Sequence, residues 1–182
     1  MSRIAIVGDG PGGLSAALFL AKNGHDVTVY GDDKTAMHFA YLHNYLGILE
    51  IAGSDFQEIA RRQVEEHGAS IRSGRAVAAE ADDEGVRLTL DDGTPVEADY
   101  LILSEGKKAE LAESMGAALE DGAVAVDGDQ RTSLPRVYAV GRSTRPSRSQ
   151  AIISAGAGAA AALDILARES GTDVQDWDTP PD

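Results

Sequence analysis

Cysteine is absent from the 182 residues, and three chemistries go with it: a structural disulfide, a thiolate nucleophile and a dithiol relay. Lysine is nearly absent, since Lys22, Lys34, Lys107 and Lys108 are its only occurrences and every other basic residue is arginine. None of the four histidines has a histidine or carboxylate partner at metal-site spacing. His38 and His43 do not share a helical face cleanly, so no zinc site is expected. No run approaches the roughly 18 to 20 apolar residues that a membrane span needs. An apolar strand and a glycine loop begin within the first ten residues, where a signal peptide would lie, so a cytoplasmic location is expected.

Negative charge is what the chain has in excess: 30 acidic against 16 basic residues give a net charge of -14. An acidic, lysine-poor, cysteine-free surface resembles proteins of salt-loving organisms, where carboxylates hold hydration and salt screens their repulsion. An acidic protein of ordinary cytoplasm is the alternative. Either way a polyanionic surface argues against unassisted binding to nucleic acid or anionic membranes. A hydrophobic content of 43% is that of a globular chain, and the length suits one core better than two.

The first thirty residues read as the start of a βαβ unit. Arg3 to Val7 is a buried strand, and Gly8-Asp9-Gly10-Pro11-Gly12-Gly13 follows at once. Leu14, Ala17, Leu18 and Ala21 recur at helical spacing, Gly24 ends the helix, and Asp26 to Tyr30 is a second strand. The stretch from Met37 to Leu49 is rich in aromatics and irregular. Ser54 with Gln57 reads as a capping box for a helix striped by Phe56, Ile59, Ala60 and Val64 and closed at His67-Gly68. Strand-like segments lie at Ser70 to Arg72, Ala76 to Ala79, Val86 to Leu90 and Pro95 to Ala98, with Asp92-Gly93 as a hairpin signal. Tyr100 to Leu103 is a short buried strand. A short helix, small strands at Ala123 to Val126 and Arg136 to Val140, and a long Gly/Ala/Ser-rich helix from about Ser149 to Ala167 complete the domain. The expected organisation is a single α/β, Rossmann-like FAD/NAD(P)-binding domain over 1–171, its parallel sheet flanked by helices and a three-stranded antiparallel β-meander. A disordered acidic tail is expected over 172–182.

Gly8-x-Gly10-x-x-Gly13 lies between a strand and a helix, the context in which this spacing carries meaning. The first glycine permits a tight turn, the second lets a pyrophosphate approach the backbone, and the third allows close helix–strand packing. The helix N-terminus offers unpaired N–H groups and partial positive charge to phosphates. A glycine turn holding no nucleotide is the alternative. A ribose-binding acid is expected about 20 residues on, but the aligned position is Gly31. Asp32 reaches the ribose hydroxyls if the strand ends one residue late; otherwise Asp32 and Asp33 are solvated turn residues.

Gly8 to Leu18 (GDGPGGLSAAL), His43-Asn44-Tyr45-Leu46-Gly47, Thr132 to Gly141 (TSLPRVYAVG) and Ser149 to Asp164 (SQAIISAGAGAAAALD) resemble, in that order, the FAD half of thioredoxin-reductase-like flavoproteins. The resemblance implies FAD as cofactor, contacted by Gly8, Gly10, Pro11, Gly12, Gly13, Asp32, Asn44, Gly141, Arg142, Gln150, Ala151 and Ile152. Gln150, Ala151 and Ile152 stand where the family presents the N–H groups and dipole of its last helix to the flavin pyrimidine. The family inserts an NAD(P)H domain after a strand ending in an Ala-Thr-Gly-like turn. Here Ser104-Glu105-Gly106 runs directly into Lys107-Lys108-Ala109, with no second glycine fingerprint and no redox-active cysteine pair. The family also has Gly-Asp where this chain has Gly141-Arg142. Arg142, Arg145 and Arg148 form the densest basic cluster. They either fork a phosphate or pair with surface carboxylates.

The implied function is an FAD-binding oxidoreductase domain that exchanges electrons with a separate reductant or partner protein, and is not a complete thioredoxin reductase. A second copy of the chain is a further candidate partner. No residue stands out as an acid–base catalyst; His43 and Tyr45 are either flavin neighbours or core aromatics. The alternative functions are a degenerate, non-catalytic sensor or scaffold module, to which Gly31, Glu105 and Arg142 point, and a binder of NAD(P) or another anionic nucleotide.

Overall fold

The computed structural model describes residues 1–180; Pro181 and Asp182, the end of the expected tail, lie outside the described residues. The chain runs β1 (Arg3–Val7), α1 (Pro11–Lys22), β2 (Asp26–Tyr30), a 3-10 turn at Ala36–Phe39, β3 (Tyr41–Leu42), β4 (Ile51–Ala52), α2 (Gly53–Glu66) and β5 (Ser70–Arg72). It continues through β6 (Ala76–Ala81), β7 (Val86–Leu90), β8 (Pro95–Ala98), β9 (Tyr100–Leu103), α3 (Glu110–Ser114), β10 (Leu119–Glu120), β11 (Ala123–Val124), β12 (Val137–Ala139) and α4 (Ala151–Ser170).

Five strands form one parallel sheet in the order β12-β9-β1-β2-β5, and β6-β7-β8 form the antiparallel meander expected from the sequence. Side chains of β1 alternate between two cores. Ile4 and Ile6 face the helices with Leu14, Leu20, Val29, Ile102 and Ile165. Ala5 and Val7 face the meander and α3 with Leu88, Leu101, Leu103 and Leu111. Burial on both faces explains why β1 and β9 read as unbroken apolar runs.

α1 begins with Pro11 in its first turn, where a missing N–H costs nothing. It ends in a Schellman arrangement: Gly24 N–H donates to Ala21 and His25 N–H to Leu20. Gly68 and Ala69 close α2 in the same way, and both glycines adopt the positive φ that the motif requires. The expected capping box is not formed. Ser54 lies inside the first turn of α2 and its hydroxyl donates to Asp55, while Gln57 turns inward.

α4 packs tightly along α1. A Cβ on Gly158 would collide with the Gly12 carbonyl and lie 3.0 Å from Ala16 N, so the small residues of α4 are first of all a packing surface. By length and composition α4 is apolar enough to cross a membrane, contrary to the expectation that no run comes close. Its Gly158, Ala161, Ala162, Ile165 and Leu166 nevertheless lie in the core. The tail from 172 to 180 holds no helix or strand; Val174 packs against the core, and Lys22 pairs with Asp176 and Asp178.

One acid fixes α4 against the sheet. Asp164 is buried and accepts hydrogen bonds from Tyr138 Oη (2.6 Å), Arg131 Nε (2.8 Å) and Arg168 Nε (3.0 Å). Burial alone would push its carboxyl up, but the three donors outweigh that and hold it down to about 2. A depressed acid stabilises the fold above its ordinary value of 3.8, and that contribution is lost as pH falls toward about 2. Asp164→Asn is therefore expected to lower stability at neutral pH by about 2–3 kcal/mol. It should also flatten the acid limb of the stability–pH curve in that window, as measured by urea denaturation at stepped pH. An unchanged acid limb would contradict this assignment.

Candidate functional site

The C-terminal ends of β1, β9 and β12 converge where neighbouring connections leave the sheet in opposite directions, the place at which open α/β sheets bind ligands. A cleft of about 450 Å³ opens there. Its floor is the loop from Gly8 to Gly12. Lys34 to Met37, Ala40 and Leu42 make one wall, Ser104 to Gly106 and Gly141-Arg142 another, and Ser149 to Ala151 with Ser154 close the far end.

The glycines of the loop divide the work. A side chain at Gly8 would run into the Ser104 carbonyl, and one at Gly13 into the Gly8 carbonyl. A side chain at Gly10 would meet nothing within 4 Å. Glycine at 8 and 13 thus serves packing, and glycine at 10 keeps the floor of the cleft clear. The N–H groups of Gly10 and Gly12 donate to no protein group among the described residues, whereas Gly13 N–H donates to Ser104 Oγ at 3.1 Å. Free donors at a helix N-terminus with open space above them suit a phosphate.

A second helix end faces the same cleft. Gln150 precedes α4 without a side-chain cap, and its Oε1 instead accepts from Asn44 Nδ2 at 3.1 Å. The first-turn N–H groups of α4 are thereby left to the cleft, with the positive end of the helix dipole behind them. This bond ties the segment around β3 to α4 across 106 residues of chain.

Of the residues proposed from sequence, Gly8, Gly10, Pro11, Gly12, Gly141, Arg142, Gln150 and Ala151 line the cleft. Gly13 lies behind the floor, Asn44 acts through Gln150, and Ile152 points to the exterior. Asp32 is not on the lining. Its carboxylate accepts Ser73 Oγ and Gly74 N–H and pairs with Lys34, and the Ser73 bond is the main reason its acidity is raised. It fastens the end of β2 to the loop after β5. His43 is exposed and Tyr45 half-buried against Phe56, so the core reading of these two residues does not hold. Phe39, Tyr41, Leu46 and Leu49 are exposed on the same segment.

Two departures from the flavoprotein pattern acquire structural roles. Both oxygens of Glu105 accept N–H groups at the start of α3, from Leu111 (2.8 Å) and Ala112 (2.9 Å), so this acid anchors the connection that runs straight on from β9. Burial is the larger influence on it and pushes its carboxyl up despite these donors. Arg142, Arg145 and Arg148 are exposed and form no ion pair among the described residues, which removes the reading that surface carboxylates neutralise them. Spacing alone could not reveal the network beneath the loop: buried Asp9 pairs with Arg61, and Gln57 Nε2 donates to the Asp9 carbonyl. Its one signal in the sequence is glycine at 31, where an acid belongs.

Comparison with known proteins agrees with the fold. The model of the pyridine nucleotide-disulphide oxidoreductase family matches residues 2–47 and 40–160. NADH oxidase of Streptococcus pneumoniae is 29% identical over 143 residues, 78% of this chain and 29% of that protein. Mycothione reductase of Mycobacterium tuberculosis is 33% identical over 135 residues, 66% of this chain and 29% of that protein. The chain thus spans less than a third of the length of these relatives. The structure of a thioredoxin reductase from Gloeobacter violaceus superposes with a TM-score of 0.88 at 16% identity, covering 98% of this chain and 99% of that one, a likeness of fold.

Proposed function

Because the chain belongs to the pyridine nucleotide-disulphide oxidoreductase family, we propose that it holds FAD along the cleft and exchanges electrons with a separate reductant or partner protein. The observation that carries this reading is the pair of open helix ends facing one cleft. α1 offers free N–H groups beneath clear space at Gly10, suited to a pyrophosphate. α4 offers an uncapped first turn at the other end, suited to an electron-rich ring edge. FAD, when bound, supplies hydride and electron transfer. The residues of this chain hold it, orient it and set the charge around it.

The connection between β9 and α3 supports electron supply from outside. Six residues, Ser104 to Ala109, join these elements where the family carries a nicotinamide domain. The arginines at 142, 145 and 148, which form no ion pair among the described residues, suit a partner that carries carboxylates, and Phe39, Tyr41, Leu46 and Leu49 are exposed on the segment that Asn44 ties to Gln150. A non-catalytic nucleotide module is the second reading, favoured by Arg142 on the cleft wall.

Two measurements test the first reading. Gly10→Val projects into open space, so the variant should fold as the parent does and lose FAD binding by at least about 100-fold in a fluorescence titration. A folded variant with parental affinity would remove the pyrophosphate from this loop. The FAD-loaded chain should also consume NADPH at least about 100-fold more slowly than a complete reductase, because nothing orients the nicotinamide. A disulfide acceptor should not accelerate it, since the chain has no cysteine. Turnover at the rate of a complete reductase without a partner would contradict the proposal.

A further inference from the structure

Gly31 directly follows β2, at the position where dinucleotide-binding folds carry an acid that reads the adenosine ribose. Its backbone does not require glycine, for its φ lies outside the left-handed region. What forbids a side chain is space. A Cβ at position 31 would lie 2.7 Å from both Cβ and Oδ1 of Asp9, and nearer still to its Cγ. A carboxylate therefore already occupies the volume that an acid at 31 would fill, and it arrives from the glycine loop instead of from β2.

That carboxylate is held on one side only. Asp9 Oδ2 accepts the Asp33 N–H at 2.9 Å and pairs with the Arg61 guanidinium. Gln57, fully buried, donates to the Asp9 carbonyl, which fixes the backbone that presents the side chain. Oδ1 accepts no hydrogen bond among the described residues, and Asp9 belongs to the cleft lining. A fixed carboxylate with one unused oxygen, at the end of β2 and beside a phosphate-binding loop, matches the needs of a vicinal diol.

We propose that the ribose-reading acid of this protein is Asp9, transferred from the end of β2 to the second position of the glycine loop, with Arg61 and Gln57 as its positioning residues. The inference rests on the FAD reading of the cleft but extends to any nucleotide with an unmodified adenosine ribose. A 2′-phosphate would meet the carboxylate head-on, so FAD, NAD and ADP fit and 2′-phosphorylated nucleotides do not. Glycine at 31 is then the second half of a paired exchange, since an acid cannot be present at both positions.

Calorimetric titration of the full chain with FAD, ADP and 2′-deoxy-ADP tests this. The parent should bind FAD and ADP and discriminate against the deoxy sugar by about tenfold to a hundredfold. Asp9→Asn should lose that discrimination, and Gly31→Glu alone should lose ADP binding through collision with Asp9. The double variant Asp9→Gly/Gly31→Glu, which returns the acid to β2, should recover both binding and discrimination. It also decides the matter where Asp9→Asn fails to fold, because it leaves no buried carboxamide against Arg61. Equal affinity of the parent for ADP and 2′-deoxy-ADP would overturn the proposal, as would a folded double variant that does not bind. ADP binding with full discrimination but no FAD binding would leave this assignment standing and overturn the flavin reading; binding of neither nucleotide would overturn both.

Discussion

Ser104 is the residue on which the cleft depends. Its N–H donates to the Val7 carbonyl at 2.7 Å and continues the β9–β1 ladder past the last strand residue. Its carbonyl lies so close to Gly8 that no side chain fits there, and its hydroxyl accepts the Gly13 N–H. One residue thus locks the strand that precedes the loop, the loop itself and the first turn of α1. Because this N–H is consumed, the donors left free are those of Gly10 and Gly12, which face the cleft. The direction of the phosphate-binding surface follows from a contact made behind it.

The next residue shows how the same strand end is used to continue the chain. Relatives of this fold leave the sheet here for a second domain, as the resemblance implies; this chain turns within six residues into α3. Glu105 makes the turn work by giving both carboxylate oxygens to the first N–H groups of α3, and Ala109 takes a left-handed conformation to bring the helix under it. Asp164 does comparable work at the far side, joining α4 to β12 through Tyr138 and to the segment before it through Arg131. Of the helix ends that face the cleft, α1 is held from behind by Ser104 and the residue preceding α4 by Asn44. Charge tells a similar story. Among the described residues Arg61, Arg131 and Arg168 pair with buried Asp9 or Asp164, whereas Arg142, Arg145 and Arg148 form no ion pair and Arg142 lines the cleft.

Much of this was legible in the residues. The strand–glycine–helix start, the meander and the last helix are local patterns, set by periodicities of two and 3.6 and by glycines at helix ends, and they appear where expected. Gly10, Arg142, Gln150 and Ala151, named from the sequence as cofactor contacts, lie together on the cleft lining. What the residues could not disclose depends on side chains crossing between elements. Gln57 reads as half of a capping box until α2 is seen to pack on the glycine loop. Spacing points to Gly31 and leaves Asp32 as a candidate only if the strand ends one residue late; it cannot show that the Asp9 side chain fills the space beside Gly31. Aromatics at 41 to 45 suggest a core, yet Tyr41 and His43 are exposed and Tyr45 is half-buried; Gly53 N–H holds the Ala40 carbonyl, and the Asn44 side chain holds that of Gln150.

The FAD proposed for the cleft would be held by the residues around the glycine loop and the start of α4, with only the six-residue β9–α3 turn at the strand end. The most direct measurement is the flavin content of the protein after gel filtration, before and after incubation with excess FAD. Uptake to one FAD per chain is expected, retained through a second filtration, with the visible absorption of a protein-bound flavin. A folded protein that stays colourless after incubation, with no change in flavin fluorescence, would contradict it.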